Sequence, residues 1–175
     1  MRRCGWCGGA RRAAAVPETT VLRVGVISDT HGLLRPEALE FLAGCDHLLH
    51  AGDVGNAAVL EALGRLAPLV AVRGNNDHGD WARALPEVAT PRFGGIALHL
   101  THEWSMREAP PPGARVVVAG HSHQPRLEER EGVLFLNPGS AGPRRFRLPV
   151  SLGELRIEGG EVQARLLTLQ EGSWR

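Results

Sequence analysis

A chain of 175 residues with 43% hydrophobic and 22% charged side chains can fill one core, which excludes a wholly disordered chain and leaves little room for a second domain. The formal net charge of +1 and the 5% aromatic content give no basic, ring-lined stripe of the kind that nucleic acid requires. All 20 basic residues are arginine, a composition that a GC-rich coding sequence explains and that carries no function by itself.

Cys4, Cys7 and Cys45 are an odd set that cannot staple a small secreted fold, so a reducing cytoplasm is expected, with Cys45 a core thiol. Cys4-Gly5-Trp6-Cys7 has no second cysteine pair downstream and reads as part of a tail rather than as a zinc or redox site. No apolar run approaches the roughly 20 residues of a membrane span, and the start lacks the apolar stretch of a secretory signal.

Residues 1–20 show no periodicity and are expected to form a flexible extension, with one domain over residues 21–170. Val21 to Ile27 is a β-branched run that predicts a strand buried on both faces. Pro36 to Ala43 predicts a helix with proline in its first turn, Asp46 to His50 a second strand, Ala57 to Leu66 a second helix, and Leu69 to Val72 a third strand. That alternation implies a largely parallel sheet with helices on its faces. From Glu87 onward the rhythm is strand after strand: Glu87 to Phe93, Ile96 to Thr101, Arg115 to Ala119, Arg126 to Arg130, Val133 to Leu136, then Val150 to Ile157 and Val162 to Thr168 as a hairpin. The expected fold is α/β, an αββα sandwich of two mixed sheets flanked by helices.

Nearly every loop that leaves the carboxyl end of a predicted strand carries a metal-capable residue, and in α/β sheets that edge is where ligands bind. The first strand delivers Asp29 and His31, the second Asp53, the third Asn75, a later one His102, and the next His121 and His123. In His121-Ser122-His123 the two imidazoles lie two residues apart and face the same way on extended backbone.

The ordered set Asp29-Thr30-His31, Gly52-Asp53, Gly74-Asn75-Asn76-Asp77, Thr101-His102 and Gly120-His121-Ser122-His123, followed by Asn137-Pro138-Gly139-Ser140, resembles the calcineurin-like metallophosphoesterases, in particular their small bacterial and archaeal phosphodiesterase branch. The resemblance implies that Asp29, His31 and His123 bind one metal, that Asn75, His102 and His121 bind another, and that Asp53 bridges them. Carboxylate and imidazole ligands without thiolates suit Mn first, then Fe, Zn or Ni. Two divalent ions against the formal negatives of Asp29 and Asp53 leave a cationic centre that attracts phosphate, with a metal-bridging hydroxide as the expected nucleophile and Asp53 and Asn75 as catalytic residues.

The chain departs from the family pattern in two places. Where many relatives have histidine after the Asn75 position, it has Asn76, with His78 the expected substitute acid. The loop after His102 reads His102-Glu103-Trp104 in place of His-Gly-His, so a substrate-side histidine is missing. Arg144 and Arg145 are expected to reach substrate phosphate together with Asn75, His50 either to orient a ligand or to pack beneath the sheet edge, Asp77 to fix the Asn75 loop, and His47 and His99 to be structural. The expected activity is hydrolysis of a small phosphodiester. A phosphomonoesterase, a nuclease and a non-catalytic scaffold resembling a retromer subunit are the alternatives, and a homo-oligomer is left open.

Overall fold

The apolar run after Val21 forms β1 (Leu22–Ile27), whose last four residues are buried because elements cover both of its faces. The computed structural model describes residues 20–105 and 107–169, so Cys4, Cys7 and nearly all of the expected N-terminal extension lie outside the described residues. β1 pairs in parallel with β2 (His47–His50), and β2 with β3 (Leu69–Ala71). The crossovers are α1 (Pro36–Leu42), with proline in its first turn, and α2 (Ala57–Gly64), whose Asn56 side chain accepts from the Val59 amide at 3.2 Å.

α3 (Asp80–Arg83) is a single turn, too short to show a helical period in the sequence. The strand expected over Glu87 to Phe93 is two short ones, β4 (Val88–Ala89) and β5 (Arg92–Phe93), because Pro91 between them has no amide to continue a ladder. There follow β6 (Ile96–Thr101), β7 (Val116–Val118), β8 (Arg126–Arg130), β9 (Val133–Asn137), β10 (Ser151–Glu158) and β11 (Glu161–Thr168). Glu158 faces Glu161 across Gly159-Gly160, both at positive φ (58° and 85°), the backbone a two-residue hairpin turn demands.

The first sheet has the order β11-β10-β1-β2-β3, and the second β4-β6-β7-β9-β8 with β5 also on β6. Each contains parallel and antiparallel pairs. Strand alternation decides the layers: Val24, Val26, Leu49, Leu155 and Ile157 meet Leu98, Leu100, Val116, Val118 and Leu136 between the sheets. On the other face of the first sheet Ile27, Leu48 and Leu152 pack under Ala38, Leu42, Val59 and Leu63 of the helices, where Cys45 is buried and free. The outer face of the second sheet carries Val117, Val133 and Phe135 under Trp104, and among the described residues no helix joins that cluster. The architecture is the expected α/β sandwich of two mixed sheets, with its described helices gathered on the first sheet. None of them is long and apolar enough to cross a membrane.

One charge is buried within this frame, away from the strand ends. Glu154 of β10 is inaccessible to solvent between Arg23 and Arg165, whose guanidiniums both donate to it and both lie over the Phe41 ring. Burial alone would raise its carboxyl pKa, but the two arginine hydrogen bonds outweigh that and hold it below the ordinary 4.5. Its contribution to stability is therefore complete above about pH 4.5 and is lost as pH falls through the lower folded value. Glu154→Gln, followed by urea unfolding, is expected to cost about 3 kcal/mol near neutrality and to flatten the acid limb of the stability curve.

Candidate metal centre

The carboxyl ends of β1, β2, β3, β6 and β7 open onto one rim, and the turns there are held in an uncommon backbone state. Asp29 (φ 53°), His31 (46°), Asp53 (53°), His121 (66°) and His123 (56°) are left-handed, and among the described non-glycine residues only Glu131 and Phe146 share that state. Each such residue costs of order 1–3 kcal/mol, which persists only where surrounding bonds over-determine it. Here they do: Asp29 N donates to Gly52 O, His31 N to Asp53 O, and Gly32 N to Val54 O, at 2.8–3.0 Å. These bonds carry the β1–β2 ladder past the strands and clamp the two turns together.

All seven residues expected at the centre lie on this rim. His123 Nε2 lies 3.1 Å from Asp29 Oδ1 and 3.4 Å from His31 Nε2, while His31 Nε2 is 3.8 Å from Asp53 Oδ2. On the other side of Asp53, His102 Nε2 is 3.5 Å from Oδ1 and 3.0 Å from Asn75 Oδ1, and His121 Nδ1 is 3.1 Å from the same Asn75 oxygen. Asp53 thus stands between a His31–His123–Asp29 group and a His102–Asn75–His121 group. Donor atoms bound to one ion at about 2.1 Å and 90–110° stand about 3.0–3.4 Å apart, so the spacing fits first-row divalent cations.

The electrostatics point the same way. Asp29 and Asp53 are 0% and 2% exposed, and buried carboxylates need a counter-charge. Asp29 Oδ2 accepts from Ser28 Oγ at 2.6 Å and from the His121 amide at 3.1 Å, but its Oδ1 is buried with no hydrogen-bond partner. His102 Nδ1 donates to the Ala51 carbonyl at 2.7 Å, which turns the Nε2 lone pair toward Asp53 and Asn75. Burial would lower the His102 pKa, yet the hydrogen bonds to Asp53 and to Ala51 raise it, favouring a proton that a cation would displace. His31 goes the other way: burial outweighs the pull of Asp53 and, helped by Arg145, leaves its imidazole neutral near pH 7. Burial would raise the Asp53 pKa, but bonds from His102 and Asn76 hold it far below the carboxylate range.

Two residues, Asn76 and Asn137, hold this centre by bonds that the sequence does not announce. Asn76 donates its amide to Asp53 Oδ1 at 2.9 Å and its side chain to Oδ2 at 2.7 Å, a double clamp on the carboxylate. Asn137 Nδ2 donates to the Gly120 carbonyl at 2.6 Å and to Ser122 Oγ, bracing the His121–His123 turn. Asp77 fixes the Asn75 loop as expected, accepting from the Gly74 amide at 2.9 Å and the Gly55 amide at 2.8 Å. Of the two roles expected of His50, the structure shows the packed one, since the imidazole's hydrogen bonds go to Gly52 and Thr30 and not to a candidate ligand. It is fully buried, accepts from the Gly52 amide at 3.2 Å and donates to Thr30, and burial pushes its pKa down to about 4. Gly52, at φ 88°, has the His102 imidazole lying against it, so no side chain fits there.

Rim residues divide more loosely. The Arg145 guanidinium is 3.4 Å from His31 Nε2, and Arg144, the preceding residue, is exposed. His78 is exposed and lines a cleft of about 610 Å³ with Asn75, His102, Glu103, Arg73 and Arg83. His47 lies 4.6 Å from the Phe93 ring and His99 5.4 Å from Trp104, both outside the centre.

Residues 22–160 match the calcineurin-like phosphoesterase superfamily domain. The chain belongs to that superfamily. A probable metallophosphoesterase of Methanothermobacter thermautotrophicus is 34% identical over 157 residues, covering 82% of this chain and 91% of the relative. A phosphodiesterase of Methanocaldococcus jannaschii is 28% identical over 166 residues, 83% of this chain and 99% of that one. Vacuolar Protein Sorting 29 from Cryptosporidium parvum shares the fold, with a TM-score of 0.68 at 20% identity over 86% of this chain and 99% of that chain. Metal-dependent hydrolysis of phosphoric esters is the class of chemistry this calcineurin-like chain shares with its family.

Because Asn76 is exposed and bonds both Asp53 oxygens, Asn76→Ala should leave the fold intact and weaken metal binding about 10- to 100-fold by isothermal titration calorimetry. A Cβ on Gly74 would collide with the Asp53 backbone and carboxylate, so Gly74→Ala should weaken it at least as much.

Proposed function

We propose that the chain is a binuclear metal-dependent phosphodiesterase. The observation that carries this reading is the position of the buried Asp53 carboxylate, one oxygen 3.8 Å from His31 Nε2 and the other 3.5 Å from His102 Nε2, with a three-residue donor group on either side. Two divalent ions held there, manganese first among Mn, Fe, Zn and Ni, would supply an activated water and neutralise the phosphoryl oxygens.

The chain's own residues supply orientation and proton traffic. Asp53, clamped by Asn76, fixes the centre of the site, and Asn75 presents its amide oxygen to both His102 and His121. Arg145 beside His31, with Arg144 next to it in the chain, offers guanidinium donors to a non-bridging phosphate oxygen. His78, which lines the cleft with Asn75 and His102, is the residue assigned in this reading to hand a proton to the departing alkoxide. Both arginines lining that cleft are already engaged, Arg73 with Glu87 and Arg83 with Asp80. Few free cations remain for a dianion, which favours a singly charged diester over a monoester, and the curated phosphodiesterase relative supports the same preference. The free, buried Cys45 suits a reducing compartment, the cytoplasm.

The scaffold alternative draws on the likeness to Vacuolar Protein Sorting 29. A purely structural rim gives no reason to hold five donor-bearing residues in left-handed backbone.

Metal-stripped protein is expected to be inactive, and manganese to restore hydrolysis of bis-p-nitrophenyl phosphate above that of p-nitrophenyl phosphate. Asp53→Asn should abolish both rates while circular dichroism stays native. A reloaded protein inactive on both esters would sink the enzyme reading, and a fully active Asp53→Asn protein would refute the central role of that carboxylate.

A further inference from the structure

The loop after His102 separates two clefts of opposite character. Glu103 lines the polar cleft with His78 and Asn75. Trp104, the next residue, lines a smaller cleft of about 200 Å³ floored by Val117, Phe135 and Leu136 and rimmed by His121 and Gln124. This second cleft adjoins the metal centre, because His121 belongs to both. A group seated in it lies against His121, one of the candidate ligands.

The chemistry of the walls defines the group. The floor is apolar, and the one cation on the rim, Arg126, is ion-paired with Glu128, so the cleft is not built for a second phosphate. Trp104 packs on Val117, Val133 and Phe135 and has the His99 ring 5.4 Å away, which gives it a fixed position and makes the cleft a flat, ring-lined slot. The Trp104 Nε1 donor is buried with no acceptor, a cost of about 1–3 kcal/mol that packing alone does not explain. The outer face of the second sheet carries no helix among the described residues, so water reaches this slot.

We propose that the slot is the subsite for an aromatic ring carried on one alcohol of the phosphodiester, an aryl or nucleobase group, with Trp104 as the residue that selects it. This rests on the phosphodiesterase reading and narrows its substrate class. The polar cleft on the other side of Glu103 receives the second, hydrophilic alcohol. The loop that departs from the family's His-Gly-His pattern thus exchanges a substrate-side imidazole for a wall that grips a ring.

The test compares two phosphonates that differ only in the ring. Phenylphosphonate and methylphosphonate are titrated into the zinc-loaded full chain and followed by the Trp104 indole N–H resonance, assigned with Trp104→Phe, and by calorimetry. Ring stacking predicts that phenylphosphonate binds at least about fivefold more tightly and shifts that resonance. The affinity ratio should fall to about one in Trp104→Ala, and also in Gln124→Trp, where an exposed rim residue is enlarged to plug the slot without touching the core. Equal affinities in the native chain, or a ring preference that survives both variants, overturn the proposal. Hydrolysis of bis-p-nitrophenyl phosphate, run in parallel, keeps the two claims apart. Intact hydrolysis without ring selection overturns the subsite alone, whereas absent hydrolysis overturns the phosphodiesterase reading and leaves the phosphonate titration to decide the slot.

Discussion

Two carboxylates, Asp29 and Asp53, are buried at the carboxyl ends of neighbouring parallel strands, and the surrounding structure answers that charge. An isolated buried carboxylate costs several kcal/mol, more than one hydrogen bond returns. Asp53 is met by both donors of Asn76 and by His102, and Asp29 by Ser28 and the His121 amide, which leaves one Asp29 oxygen with no hydrogen bond and only the His123 imidazole beside it at 3.1 Å. Imidazoles aim further lone pairs at the same space. Such an arrangement is favourable only around cations, and the left-handed turns that create it would otherwise be strain without return.

The sandwich makes this convergence cheap to specify. β1 and β2 bring the two aspartates side by side, and β6 and β7 do the same for His102 and the His121–His123 pair. The sheets are joined at the rim: His102 from the second donates to Ala51 of the first, and His121 donates its amide to Asp29. Glycines 52, 74 and 120 let these backbones approach so closely that any side chain would collide with a neighbour. Chemistry and folding therefore share contacts at this edge, whereas Glu154 and its arginines hold the opposite part of the first sheet by ordinary ion pairing.

The sequence made the rim legible for a physical reason: buried parallel strands read as apolar runs, and whatever polar residue ends each run must lie at one edge. Asp29, His31, Asp53, Asn75, His102, His121 and His123 are all legible this way, each at the end of a strand. Backbone conformation was not legible, since nothing in the residue types says that His31 or His123 sits at positive φ. Asn76 reads from the resemblance only as the absence of a histidine, whereas its geometry makes it the clamp on Asp53. The short α3 and the break at Pro91 escaped because two to four residues carry no measurable period. The slot beneath Trp104 depends on a contact between a loop and the outer face of a distant strand pair, which no local pattern encodes.

The measurement that bears most directly on this account is anomalous diffraction from crystals of the full chain grown with manganese. It should yield two peaks about 3.5–4 Å apart with the Asp53 carboxylate between them. A single peak, or peaks away from Asp53, would contradict the binuclear centre on which the account depends.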